Sequence, residues 1–476
     1  MLFNSIQFVI FFFIVTIAYF AVPHKYRWFL LLVSSCYFYM FFVPIYILIL
    51  GFTIVIDYFA GIYLERAQGR QKKWFLIASL IANIGVLAVF KYYNFFNDNL
   101  TLLLHGAGFQ NTIPYLTILL PVGLSFHTFQ AMSYTIEVYR GNQPAERNFG
   151  IYALYVMFYP QLVAGPIERP QNLLHQFYEK HSFEYPEVRE GFKLILWGMF
   201  KKLVIADRLA IYVNAVYNNP HSHSGTTLIV ATIFFAIQIY CDFSGYSDIA
   251  IGAARVMGFK LMTNFNRPYF AQNISEFWKR WHISLSTWFK DYLYISLGGN
   301  KVSVPRWYFN LFIVFLISGF WHGANWIYII WGALNGFYLI FAIFSQKLRN
   351  NLLSFSGLKK IPKLNRFLQI LITFLLSCFA WIFFRANSVT DAFYIIKKIP
   401  TLKGPLFYEN PSMLIFSAFG IAFLFAVEFK KEYLPKSLSF FNNKNWLVRN
   451  LSYAFLIILI LLIGVFDGGQ FIYFQF

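Results

Sequence analysis

The chain has 476 residues, of which 58% are hydrophobic and 12% charged. A soluble domain carries about 25% charged residues, so a soluble globular fold is excluded and a polytopic membrane protein is implied. The formal net charge of +19 would point to nucleic acid in a soluble protein. Here Lys and Arg gather in loops between apolar segments, where they hold topology, and nucleic-acid binding is set aside.

The 60 Phe, 32 Tyr and 12 Trp suit lipid-facing surface and interfacial belts. Residues 1–22 have no basic leader and no small-residue cleavage site, so they read as a retained first span. No lipidation motif marks either end. Candidate spans follow at 6–22, 28–42, 43–64, 74–90, 114–139, 149–165, 190–212, 226–252, 308–321, 326–345, 366–384, 413–428 and 447–466. Several fall short of the roughly 20 residues a full crossing needs. The pair broken at Pro44 and the segment 149–165 therefore read as tilted or re-entrant. The expected fold is an all-α bundle of 10–13 transmembrane or re-entrant helices with interfacial amphipathic helices. It forms a single integral-membrane domain over 1–476, with core motifs at 121–345 and peripheral helices at 1–112 and 366–476.

Basic loops set the orientation. Arg66, Arg70, Lys72 and Lys73 mark one inside loop. Lys347, Arg349, Lys359, Lys360, Lys363 and Arg366 mark a second, and Lys430, Lys431, Lys436 and Lys444 a third. The nearly uncharged loop 97–113 reads as outside. Counting spans from these anchors puts both the N-terminus and the end from Asp467 outside. No internal repeat supports an inverted-repeat transporter.

Three stretches depart from plain spans. Residues 159–170 hold three prolines yet are half apolar, which suggests backbone buried in protein at the membrane surface. In 238–255, Asp242, Ser244, Ser247, Asp248 and Arg255 lie in a segment that should span, so they must face the bundle interior or a water-filled path. An internal Asp–Arg pair holding the core is the favoured reading there. In 274–292, Ile274, Phe277, Trp281, Leu285, Trp288 and Tyr292 fall on one helical face at 100° per residue. Ser275, Lys279, His282, Ser286 and Lys290 fall on another. This predicts one amphipathic helix in an interface or lining a cavity, with His282 in its polar stripe.

Common soluble catalytic patterns are missing: no G-x-S-x-G elbow, no H-E-x-x-H, no P-loop. The H-x-x-x-x-D pattern fails too, since Thr287 stands five residues past His282. Cys36, Cys241 and Cys378 show no zinc-like or CxxC spacing, and no metal site is expected. His322 is the strongest candidate. It lies between two apolar lengths, where a charged group costs roughly 2.5–3.5 kcal/mol on insertion scales. It is either a general base in a partly dry site or a buried His bonded to a helix carbonyl. Gly319, Gly323 and Ala324 beside it let a backbone or a ligand approach closely. His282 is a second candidate, to orient substrate, donate to an oxyanion or share a proton relay. The alternative is a solvated histidine on an amphipathic face. Lys279, Arg280 and Lys290 are candidates for holding donor phosphates, or else ordinary positive-inside anchors. Trp281, Trp321, Asn325, Asp242 and Ser247 are candidate substrate- or tunnel-lining residues.

Residues 238–258, 264–269, 277–286, 291–295 with 297–300, and Phe-Trp-His-Gly-Ala-Asn-Trp at 320–326 together resemble the membrane-bound O-acyltransferase superfamily. Residues 121–127 and 164–170 are similar to the branch that holds the alginate O-acetyltransferase membrane subunit and its peptidoglycan relatives. The resemblance implies a helical bundle around a central tunnel, with the family's invariant histidine at His322 and its second histidine at His282. It implies acetyl-coenzyme A as a cytoplasmic donor substrate, with no permanently bound cofactor. The acyl group would pass to the outer side, onto a separate SGNH-like acetyltransferase partner or directly onto a hydroxyl of an extracytoplasmic polysaccharide. The setting implied is the bilayer of a bacterial cytoplasmic membrane. Two other functions are weighed: a D-alanyl transfer protein for teichoic acids fed by a carrier-protein thioester, and a proton-coupled transporter.

Overall fold

The computed structural model describes residues 1–117, 121, 123–163, 165–434, 441 and 443–466. The side predicted for the chain end from Asp467 falls outside these residues. Within them the chain is helical, and its elements divide between two compact units. One comprises Met1–Ile195 with Ser247–Met262, the other Leu196–Tyr246 with Thr263–Phe476.

The first unit begins with α1 (Ile6–Ala21), whose N-cap Ser5 accepts from the Phe8 amide at 3.2 Å. Then come α2 (His24–Met40), α3 (Tyr46–Arg66) and α4 (Gly69–Leu87), the last joined through a π-helical turn to α5 (Tyr93–Gly106). Next are α6 (Leu124–Arg140), α7 (Phe149–Met157), α8 (Tyr159–Leu162) and α9 (Pro170–Leu173). The helix α10 (Tyr185–Met199) leads from this unit into the second.

The predicted span 114–139 becomes α6, with 118–120 and 122 outside the described residues. His127, Thr128, Gln130, Ser133, Thr135 and Glu137 are all buried. A helix with polar groups round its circumference must bury them in protein, because hydrocarbon satisfies none of them. The predicted segment 149–165 is broken at Phe158, where the backbone turns to φ −52°, ψ 111°. The proline-rich run after it is buried as expected, from Tyr159 to Val163 and again from Gly165 to Glu168. Glu168 accepts from the Met262 amide at 2.5 Å, and burial pushes its carboxyl up to about 7.

The second unit carries α11 (Asp207–Tyr217), most of α12 (Gly225–Val256), α13 (Ile274–Arg280), α14 (Ile283–Trp288), α15 (Val304–His322) and α16 (Trp326–Phe344). It ends with α17 (Gln346–Phe355), α18 (Pro362–Arg385), α19 (Val389–Lys398), α20 (Pro411–Tyr433) and α21 (Trp446–Ile463). The predicted span 190–212 is not one regular helix. A π-helical segment, Phe200–Ala206, separates α10 from α11. Such segments insert a residue into the helical ladder and often sit at functional places. Here the segment holds two buried lysines, Lys201 and Lys202.

Eight helices among the described residues are long and apolar enough to cross a membrane. They are α3, the continuous α4–α5, α12, α15, α16, α18, α20 and α21. The protein is therefore an all-α multi-pass membrane protein; α1 is apolar but shorter. The helix α12 has 32 residues, about 48 Å at 1.5 Å per residue. Its apolar window is 78% buried, against 17% for α21. The first is thus a core helix, and the second shows most of its surface to lipid.

Candidate active site

All the geometry around the two candidate histidines belongs to the second unit. The helices α15 and α16 form an antiparallel hairpin closed by facing glycines. A β-carbon on Gly319 would lie 2.9 Å from Gly332 Cα, and one on Gly336 would lie 3.2 Å from Phe312 Cα. Only hydrogen at these positions lets the backbones meet. The expected close approach at Gly319 is thus made by a backbone, and at Gly323 by the Tyr328 ring.

His322 is the last residue of α15, and Gly323 then turns extended at φ −165°, ψ 149°. The imidazole is buried. Trp321, Trp331 and Phe384 surround it at centroid distances of 4.9, 5.0 and 5.4 Å, each edge to face. Trp381 stacks on Trp331 at 5.8 Å. An imidazole buried among aromatic rings is suited to general-base chemistry. Trp381 and Phe384 come from α18, which the sequence placed among the peripheral helices. Asn325 is exposed and caps α16, accepting from the Ile327 amide at 3.1 Å.

The predicted amphipathic helix 274–292 is corrected in one decisive respect: it breaks at Trp281 and His282. The helix α13 is capped by Asn273, which accepts from the Glu276 amide at 2.9 Å. The chain then turns extended at Trp281 and left-handed at His282, φ 42°, ψ 55°. The break is tertiary in origin. The Ile283 amide donates to the Asn264 carbonyl and the Asn266 amide to the Arg280 carbonyl, each at 2.9 Å. The predicted apolar face survives, since Ile274, Phe277, Trp281, Leu285, Trp288 and Tyr292 are all buried. His282 leaves the polar stripe and is itself buried at 1% exposure. It is therefore not a solvated histidine on an amphipathic face. Desolvation lowers its pKa to about 3, so the ring is neutral at ordinary pH.

His282 Nδ1 lies 3.1 Å from the Asn264 side-chain oxygen. Its ring meets Phe243 at 4.5 Å and Phe265 at 6.3 Å. A chain of ring contacts links the two histidines. It runs from Phe265 to Trp281 at 5.2 Å, to Trp381 at 5.1 Å, to Trp331 at 5.8 Å, and so to His322.

The predicted basic cluster separates. Lys279 and Lys290 are exposed. Arg280 is half-buried and engaged, with Glu276 at 2.7 Å and Glu432 at 3.0 Å. Glu432 also takes Arg267 at 2.7 Å, so one carboxylate clamps both segments that flank His282.

Asp242 is buried and is paired with a lysine. Lys202 Nζ bridges Asp242 at 2.6 Å and Asp207 at 2.8 Å. Lys201 Nζ donates to Ser244 at 2.8 Å. Arg255, the expected partner, pairs with Glu187 in the first unit at 2.7 Å. Asp242 and Ser244 flank Phe243, the residue that meets His282, so the buried lysines fix the turn of α12 behind that ring. Ser247 is buried on the part of α12 that belongs to the first unit. Among the described residues no group of three His, Cys, Asp or Glu side chains is placed to hold a metal ion.

Residues 146–384 match the family model described as MBOAT, membrane-bound O-acyltransferase family. The chain belongs to the membrane-bound O-acyltransferase family. The matched stretch contains both histidines and every other candidate residue above. As a membrane-bound O-acyltransferase the chain is an enzyme of acyl transfer. It is 41% identical over 379 residues to "Probable alginate O-acetylase AlgI" of Pseudomonas aeruginosa, covering 79% of this chain and 70% of that protein. It is 37% identical over 402 residues to "Peptidoglycan O-acetyltransferase" of Helicobacter pylori, covering 79% and 74%. To "Teichoic acid D-alanyltransferase" of Streptococcus thermophilus it is 30% identical over 282 residues, covering 53% and 65%. Within this family member the sequence missed Asn264, Lys202, Trp331, Trp381 and Phe384. Only the motif at 264–269 drew notice to any of them.

Proposed function

We propose that this O-acyltransferase takes an acetyl group from cytoplasmic acetyl-coenzyme A and passes it across the bacterial cytoplasmic membrane. The destination is a hydroxyl of an extracytoplasmic polysaccharide, an alginate-like exopolysaccharide or peptidoglycan. One observation carries this reading. The relatives named for alginate and peptidoglycan O-acetylation align over 78–79% of this chain, those named for D-alanyl transfer over 53–55%.

In this reading His322 takes the proton of the acceptor hydroxyl as its oxygen attacks the thioester carbonyl. A C–O bond forms, the C–S bond breaks, and the coenzyme leaves as the thiol after regaining a proton. His282 shares the proton relay. The enclosure by Trp321, Trp331 and Phe384 supports these roles by keeping water, a competing acceptor, from the thioester. Lys279 and Lys290 hold the coenzyme phosphates at the surface, whereas Arg280 is committed to Glu276 and Glu432. A separate extracytoplasmic SGNH-like acetyltransferase completes the transfer to polysaccharide.

The test uses sealed vesicles containing the full chain, with acetyl-labelled coenzyme A supplied on the cytoplasmic face. Label is predicted to reach polysaccharide or the partner transferase on the opposite face. Transfer only from a carrier-protein thioester, with acetyl-coenzyme A ignored, would overturn the reading in favour of D-alanyl-type transfer.

A further inference from the structure

Asn264 is fully buried. Its side-chain oxygen accepts from the Ser284 amide at 3.2 Å and the Ser284 hydroxyl at 2.9 Å, and it faces His282 Nδ1 at 3.1 Å. A peptide N–H can only donate. The atom that meets it must be the oxygen of the Asn264 amide, which removes the usual ambiguity of an asparagine flip. A ring nitrogen facing that same oxygen must carry a proton, because two lone pairs would repel. The Ser284 hydroxyl, 3.5 Å from Nδ1, gives its own proton to Asn264. Toward the ring it can only accept.

From this arrangement we infer that Asn264 is a positioning residue, fixing His282 as the Nδ1–H tautomer and making Nε2 its proton-accepting atom. The inference rests on the reading of His282 as part of the acylation site. It also sharpens that reading, since a neutral ring so locked accepts a proton at Nε2 and does not donate there to an oxyanion. The surroundings agree. The main-chain bonds of Asn264 and Asn266 to the 280–283 segment hold the ring's backbone in a left-handed conformation that a β-carbon disfavours. Burial keeps the second proton off.

The test is the 15N spectrum of the full chain in lipid nanodiscs, labelled at histidine, with the His282 signals assigned by their loss in His282→Gln. Wild type is expected to show a protonated Nδ1 and a pyridine-like Nε2. Asn264→Asp keeps the acceptor and is expected to keep both the tautomer and most of the activity. Asn264→Leu is expected to mix the tautomers and lower kcat by about 10- to 100-fold, as loss of an orienting partner does, with KM for acetyl-coenzyme A within about twofold. An Nε2–H signal in wild type, or an unchanged tautomer in Asn264→Leu, would overturn the inference. Full acetyl transfer by His282→Gln would instead defeat the functional reading of His282 and leave the tautomer assignment standing.

Discussion

His322 and Trp331 meet edge to face at a centroid distance of 5.0 Å and an interplanar angle of 87°. They lie on the two arms of the α15–α16 hairpin, so the enclosure of the histidine depends on how closely those arms pack. That closeness is set by Gly319 and Gly332.

Gly319→Leu is therefore predicted to destabilise the fold by about 1–3 kcal/mol through overpacking, and to lower activity by opening the ring enclosure. Gly51→Leu is the control, because a β-carbon there meets nothing within 4 Å. Thermal unfolding in detergent should show a lower midpoint for the first variant and an unchanged one for the second. Equal midpoints would contradict the packing argument.

Lys202 bridges two buried carboxylates at once. Lys202→Met removes the ammonium that Asp207 and Asp242 share, at a cost of about 3–5 kcal/mol. Combining it with Asp207→Asn and Asp242→Asn is predicted to recover most of that loss. Chemical unfolding of the single and triple variants checks both statements.

These features differ in how far the sequence disclosed them. The buried face of 274–292 was legible because periodicity reports burial, and all six apolar positions are inside. His322 was legible because an ionisable group between apolar runs needs a reason to be there. The break at His282 was not, since no glycine or proline marks it. Its cause is the main chain of Asn264 and Asn266, earlier in the chain. Trp381 and Phe384 were equally hidden, because a helix from far along the chain supplies them and nothing local in α18 announces a site. Lys202 lay inside what read as an ordinary span, and of its partners Asp207 follows five residues on while Asp242 comes from α12.

The neutral, buried state of His282 has a signature in stability. Its pKa is lowered to about 3 by burial, against about 6.5 in an unfolded chain. Between these values the unfolded state binds the extra proton. The contribution is fully present above about pH 6.5 and is lost progressively as pH falls toward about 3. His282→Gln should flatten this acid limb in midpoints measured from pH 7 to pH 4. Identical slopes in the two proteins would show that the ring is not desolvated.

The separation of the basic cluster predicts a split in kinetics. With the coenzyme phosphates held as proposed, Lys279→Ala with Lys290→Ala should raise KM for acetyl-coenzyme A several-fold and leave kcat near wild type, because such contacts would bind without acting in the transition state. Arg280→Ala should instead lower the unfolding midpoint, since it removes one side of the Glu432 clamp. A raised KM in Arg280→Ala alone would reverse these assignments.

The central claim is that His322 performs acyl transfer. It is tested by transfer of labelled acetyl groups from acetyl-coenzyme A to added polysaccharide, with the partner transferase present, by purified wild type and His322→Ala, with folding verified by the unfolding midpoint. Wild type is expected to turn over, and a folded His322→Ala is not. Equal turnover by the two proteins would contradict it.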